Sequence, residues 1–197
     1  MKLRLFVGIS APPEWKRAIV AWRRANESRF SDSFGRWTSE TNLHLTLRFF
    51  GSIDEREVIA IAGKIQSVAA GVEPFTVAPG LLGCFPNPSR PRILWIGFEG
   101  ANENLVTLES RLRGATVRFG QAPEERPFHP HLTLARLKAP TRRDRDEITE
   151  IIGQGAPIGA IPWRIDRVEL IRSLPQPGGS IYTELAALPL GPRAAGA

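Results

Sequence analysis

Leu43-His44-Leu45-Thr46-Leu47 and Pro130-His131-Leu132-Thr133-Leu134 are the two stretches on which the reading of this 197-residue chain turns. Each is short, leucine-rich and alternates apolar with polar residues, the pattern of a strand with one buried face. On such a strand His44 and Thr46 point one way while Leu45 and Leu47 point the other, and His131 and Thr133 stand opposite Leu132 and Leu134 in the same manner. The chain has only three histidines, and two of them occupy this pattern, once in each half. The third, His129, precedes His131 across Pro130 and reads as a rim residue.

Working outward, strand and helix signals alternate. Residues 2–9 predict a strand, and Pro12-Pro13 open a helix to about Ser28 with Trp15, Ala18, Ile19 and Trp22 along its apolar stripe. Residues 36–38 and 43–50 predict strands, and Asp54 caps a helix to about Ala70 that turns Val58, Ile61, Ile65 and Val68 to the core. Strands follow at 75–85 and 93–98 around a proline-dense turn, then a helix at 102–113 carrying Leu105, Leu108 and Leu112. A strand at 128–137, a helix at 141–152 and a closing strand pair at 163–173 and 181–188 complete the chain. Each half runs strand, helix, strong strand, helix, strand. This predicts an α+β fold of two pseudo-symmetric lobes, each an antiparallel sheet backed by helices, with a cleft between them. Residues 1–190 read as one such domain and 191–197 as a flexible tail.

Composition narrows the function classes. Cys84 is the only cysteine, so no internal disulfide or cysteine-rich zinc site can form, and a reducing, cytoplasmic setting fits. Cys84 lies in Gly83-Cys84-Phe85-Pro86 without a basic neighbour and reads as an inert thiol. No apolar run is long enough to span a membrane, and Arg4 and Pro12-Pro13 break the N-terminal run too early for a signal peptide. The net charge of +6 suits a phosphate-rich partner, although 22 arginines against 4 lysines are also what a GC-rich genome would encode. Arg111 and Arg113, and Arg142, Arg143 and Arg145, read as solvated helix faces or as phosphate contacts.

If the lobes face each other, two imidazoles and two hydroxyls converge on one small volume. Opening a cyclic phosphodiester needs a base for the attacking water and an acid for the departing oxygen. Histidine titrates near neutral pH and can serve as either. Thr46 and Thr133 can hydrogen-bond the non-bridging oxygens. A metal reading lacks a third ligand, and no cofactor is expected.

With these residues the sequence resembles the 2H phosphoesterase superfamily, marked by two His-x-Thr-x motifs. Within it, the chain is similar to the bacterial and archaeal RNA 2′,3′-cyclic phosphodiesterases, also called 2′-5′ RNA ligases. The similarity includes residues 4–9, Arg36-Trp37, residues 42–51, residues 128–136, residues 168–173 and Tyr182. The resemblance implies that His44 is the proton donor to the leaving 3′ oxygen, that His131 is the acceptor activating water, and that a 2′-phosphate results, with reversible 2′-5′ RNA ligation as an accompanying activity. It implies an RNA substrate with a cyclic-phosphate end; tRNA fragments are one candidate source, and a monomer without obligate protein partner is the default expectation. It also implies that Arg136, five residues after His131, contacts phosphate. Strict alternation puts Arg136 on the opposite face from His131 unless a bulge intervenes, and favours Arg48, which shares parity with His44. Phe49 and Tyr182 are candidates to stack on a base. Two other functions fit the residues: a phosphodiesterase of small cyclic nucleotides, and a nucleotide- or RNA-binding module without catalysis.

Overall fold

Every strand pairing is antiparallel, and the two histidine motifs sit where the sheet's two halves meet. The computed structural model describes residues 1–100, 102–123 and 126–191; the expected tail lies, after Gly191, outside the described residues. The strands are β1 (Lys2–Ser10), β2 (Gly35–Trp37), β3 (His44–Asp54), β4 (Phe75–Phe85), β5 (Ile93–Gly100), β6 (Leu132–Leu137), β7 (Trp163–Ile165), β8 (Arg167–Leu174) and β9 (Ile181–Pro189). They join in the order β7-β4-β5-β6-β3-β1-β8-β9, with β2 also paired to β6. The central neighbours β3 and β6 share a single Cα pair, Leu45 with Leu132, whereas β1–β3 and β4–β5 pair along most of their length. The sheet is thus two blocks meeting at a narrow seam, four strands on the β3 side and five, β2 included, on the β6 side.

The fold is the expected α+β class, but the blocks are not the sequence halves. One block takes β1, β3, β8 and β9 from both ends of the chain, and the other takes β4 to β7 from the middle together with β2 on β6. The segment expected as one strand at 163–173 divides at Asp166: β7 pairs with β4, and β8 crosses to pair with β1 and β9. The strand expected from residue 128 begins only at Leu132. Pro127 and Pro130 have no N–H to offer a ladder, so pairing starts after them.

The helices α1 (Pro13–Asn26), α2 (Val58–Ala69), α3 (Asn102–Ala115) and α4 (Arg142–Gly153) begin and end on local signals. Proline starts α1, with Glu14 in its first turn and Arg23 and Arg24 in its last, each favourable to the helix dipole. Thr141 and Asp144 form a reciprocal capping box on α4. Asp54 caps a 3-10 turn at Glu55–Glu57, so α2 starts at Val58 rather than at the cap. Leu105, Leu108 and Leu112 of α3 and Ile61 and Ile65 of α2 are completely buried, as are Leu45 and Leu132. Each such side chain contributes about 1.5–3 kcal/mol by leaving water. The core therefore lies on the leucine face of the histidine strands and leaves the other face for chemistry. Among the described residues no helix is long and apolar enough to cross a membrane.

Candidate active site at the seam

The two imidazoles are held in the same way. His44 Nδ1 lies 2.6 Å from the Asn42 carbonyl oxygen, and His131 Nδ1 lies 2.8 Å from that of His129. A carbonyl only accepts, so Nδ1 carries the hydrogen in both rings, and in each neutral ring Nε2 holds the lone pair. His44 Nε2 is 2.9 Å from Thr46 Oγ1. The motif alternation thus survives at its centre: His44, Thr46, His131 and Thr133 are half-buried while the intervening leucines are buried. Continuing the Leu45–Leu132 register by one residue sets His44 across from Thr133 and Thr46 across from His131.

Each imidazole leans on aromatic rings. Phe6 of β1 and Tyr182 of β9 flank His44 with ring centroids at 4.9 and 5.2 Å. Phe85 of β4 and Trp95 of β5 flank His131 at 5.0 and 6.1 Å. Two glycines make this possible. A Cβ on Gly8 would sit 2.8 Å from the Leu45 carbonyl oxygen and 3.4 Å from His44 Cδ2. A Cβ on Gly83 would overlap the Trp95 indole.

Beyond the threonines, both strands break alternation at the same distance from their histidine. Between β1 and β3 the register skips Leu47, with Thr46 opposite Gly8 and Arg48 opposite Val7. Between β5 and β6 it skips Leu134, with Thr133 opposite Trp95 and Ala135 opposite Leu94. These are β-bulges, and each flips the parity of the residues beyond it. Arg48 consequently leaves the histidine face. It is buried, its guanidinium donates to the carbonyls of Gln121 at 2.8 Å and Phe49 at 3.2 Å, and burial lowers its pKa. The expectation that shared parity keeps Arg48 beside the phosphate therefore fails. The same bulge turns Phe49 onto the histidine face, opposite Phe6, with the Arg4 guanidinium 4.5 Å from its ring centre. The bulge in β6 does the reverse service for Arg136, which returns to the side of His131 and stays exposed.

Burial pushes the His44 pKa down, the Asn42 carbonyl pulls it up, Arg136 and His131 lower it, and Glu169 raises it. Arg136 also acts on Tyr182, whose hydroxyl burial pushes up. Arg136, His44 and Tyr182 therefore share one electrostatic neighbourhood. Glu169 is the residue the sequence reading missed. It is buried on β8 across from Gly8, and Ser10 Oγ donates to it. With Ser10, Thr41, Tyr182 and Glu184 it lines a cavity of about 180 Å³ beside His44. The available signal was a carboxylate inside the apolar run Val168-Glu169-Leu170-Ile171. His129 contributes its carbonyl to His131, while its ring packs on Trp95 at 4.7 Å. Cys84 is buried, which pushes its thiol up and away from the thiolate form. Among the described residues no three His, Cys, Asp or Glu side chains are grouped as a metal site.

The model of the 2′-5′ RNA ligase superfamily matches residues 11–176. A Methanothermobacter thermautotrophicus protein named RNA 2′,3′-cyclic phosphodiesterase is 34% identical over 94% of this chain and 97% of its own. An Escherichia coli protein of the same name is 34% identical over 68% of this chain and 71% of its own. The crystal structure of E. coli LigT complexed with 3′-AMP superposes with a TM-score of 0.77 at 28% identity, covering 96% of this chain and 99% of LigT. Matched across most of its length by the family model and by a near full-length relative, the chain belongs to the 2′-5′ RNA ligase superfamily.

Proposed function

We propose that this protein is a phosphodiesterase that opens RNA 2′,3′-cyclic phosphate ends by two-histidine acid–base catalysis, leaving a 2′-phosphate. The observation that carries the reading is the paired anchoring of His44 and His131, each through Nδ1 to the carbonyl two residues earlier. That bond presets Nε2 of both rings for proton transfer across the seam. In the forward step, His131 Nε2 takes a proton from water as the oxygen attacks phosphorus. His44 Nε2 gives its proton to the departing 3′ oxygen. Thr46, Thr133 and Arg136 bind the non-bridging oxygens as charge builds there. Tyr182 and Phe49 offer rings to a base. The substrate is an RNA end, tRNA halves included, and residues 1–190 work as one unit, a monomer in the cytoplasm.

The direct test is to incubate the purified protein with EDTA and a short RNA ending in a 2′,3′-cyclic phosphate. Conversion to the 2′-phosphate is expected. A 3′-phosphate would keep the two-histidine mechanism but reverse the orientation of the substrate in the cleft, and no product from folded protein would reject the reading.

The two arginines separate in the same assay. Arg136→Ala should lower kcat/KM about tenfold to a hundredfold by removing a charge-assisted hydrogen bond, with the unfolding midpoint unchanged. Arg48→Met should instead cost about 1–3 kcal/mol of stability, because the Gln121 and Phe119 carbonyls lose their donor. Equal effects of both on KM would refute this division of labour.

The pH dependence follows from the forces on His44. A donor must be protonated, and in the free protein burial lowers the His44 pKa from its ordinary value. The descending limb of kcat/KM, which reports the free protein, should therefore lie below the usual imidazole range. A bound phosphate anion favours imidazolium, so the limb of kcat should lie at higher pH. Glu169→Gln removes a charge that favours imidazolium and should move both limbs down. Coincident limbs at the ordinary histidine value in both proteins would contradict the donor role of His44.

A further inference from the structure

The surroundings of the two histidines differ in charge although their strands match. The cavity beside His44 is lined by two carboxylates, those of Glu169 and Glu184. On the other side, an open cavity of about 500 Å³ is lined by Pro86, Arg90, Arg92, Lys138 and Arg145 and by no acidic residue. It is one residue away from the imidazole of His131: Phe85 packs edge-on to that ring at 5.0 Å, and the next residue, Pro86, lines the cavity.

Two of the four cations are held in place by backbone carbonyls, and among the described residues none of the four is paired with a carboxylate. Arg92 Nη1 donates to the Lys138 carbonyl at 3.1 Å, and Arg145 Nη1 to the Pro140 carbonyl at 3.0 Å. The Arg92 amide donates to the Phe85 carbonyl at 2.7 Å, which fixes this wall to the strand that carries Phe85. Elsewhere on the surface Arg23, Arg29, Arg56 and Arg167 each face a carboxylate. Among the described residues none of Arg90, Arg92, Lys138 and Arg145 does so. One nitrogen of each anchored guanidinium is used on a carbonyl, and the remaining donors are those that suit phosphate oxygens.

We infer that this pocket is a second RNA-contact site, holding backbone phosphates of a strand that runs past Phe85 beside the reacting phosphorus. The inference rests on the proposed reading of the site as one acting on RNA ends. A mononucleotide would fill the seam and leave the pocket untouched, so the pocket selects RNA over small cyclic nucleotides. Two strands could supply the phosphates. One is the cyclic-phosphate strand itself. The other is an RNA whose 5′-hydroxyl replaces water on the His131 side. There the 5′ oxygen would form the new bond to phosphorus, its proton passing to His131, while the 3′ oxygen leaves with the proton of His44.

The test uses R92E/K138E, two exposed positions outside the catalytic seam, with R90E on the same pocket as an independent variant should the pair fail to fold. Three probes are compared with the wild type: a mononucleoside 2′,3′-cyclic phosphate, a short RNA ending in that group, and a 5′-hydroxyl RNA with a blocked 3′ end whose binding is followed by anisotropy. Turnover of the mononucleotide should be unchanged. The KM of the cyclic-phosphate RNA rising about tenfold would place that strand's phosphates in the pocket. Binding of the 5′-hydroxyl RNA weakening about tenfold instead would place a second strand there. In either case the log–log salt dependence should flatten by about 0.7 for each phosphate that the variant no longer neutralises. Unchanged behaviour toward both RNAs, or equal loss on the mononucleotide, would overturn the inference. A wild type that binds RNA through these charges but turns over no cyclic phosphate would leave the pocket standing and reject the proposed reaction.

Discussion

Replacing either His44 or His131 by alanine is expected to lower turnover of an RNA 2′,3′-cyclic phosphate about 10²- to 10⁴-fold, the contribution of a positioned general acid or base. The fold should persist. Both rings lie on the half-buried face; each forfeits an Nδ1 bond to a neighbouring carbonyl and its packing on aromatic rings, and His44 also its Nε2 contact with Thr46 Oγ1. The fully buried Leu45 and Leu132 on the opposite face keep the strands in register. Because the two groups act in one proton circuit, the double variant should be little worse than either single one. The measurement is kcat on purified variants with unfolding midpoints alongside. A single variant that keeps its turnover within a few-fold of wild type would remove that histidine from the mechanism.

Trp15→Ala should produce the largest loss of stability, about 3–5 kcal/mol as for other buried tryptophans. Trp15 is fully buried, stacks on Phe98 at 5.4 Å and meets Trp163 edge-on at 5.0 Å. Its indole N–H donates to the Ile161 carbonyl at 2.9 Å, so truncation opens a cavity and also strands an acceptor. The position of this side chain matters as much as its size. α1 follows β1, a strand of the first block, while Phe98 and Trp163 belong to β5 and β7 of the second. Trp15 therefore fastens the helix that follows β1 of one block to β5 and β7 of the other, across a seam where β3 and β6 share one bridging pair. Denaturant titration should show the stability loss. Activity should fall even where the variant is still folded, because the spacing across the seam is no longer held. A variant with wild-type midpoint and rate would show that the seam is fixed elsewhere.

How far the sequence can be read varies from element to element. Local signals place the helices well: prolines, a threonine–aspartate capping box and leucines at helical spacing act within one or two turns. The segment at 163–173 reads as one strand because an unbroken apolar–polar pattern says nothing about partners, and the chain changes blocks at Asp166 without a glycine or proline to announce it. Glu169 escapes notice for a related reason. A carboxylate in a strand reads as solvent-facing until the fold lays β1 and β9 on either side of it.

By itself the sequence determined that His44 and Thr46 share a face, as do His131 and Thr133, since side-chain alternation is a property of the single strand. It also determined that leucines would bury the opposite face. The tertiary structure decided which arginine joins them. A bulge exists only between paired strands, and the skipped residues Leu47 and Leu134 were invisible until β1 and β5 lay alongside. Those two skipped residues carry Arg48 into the core and bring Arg136 to the site. The anchoring carbonyls of Asn42 and His129, the rings of Phe6, Phe85 and Trp95, and the charge difference between the two sides of the seam likewise depend on which strands become neighbours. Periodicity is local and survives in the sequence, whereas register and pairing arise between segments far apart in the chain.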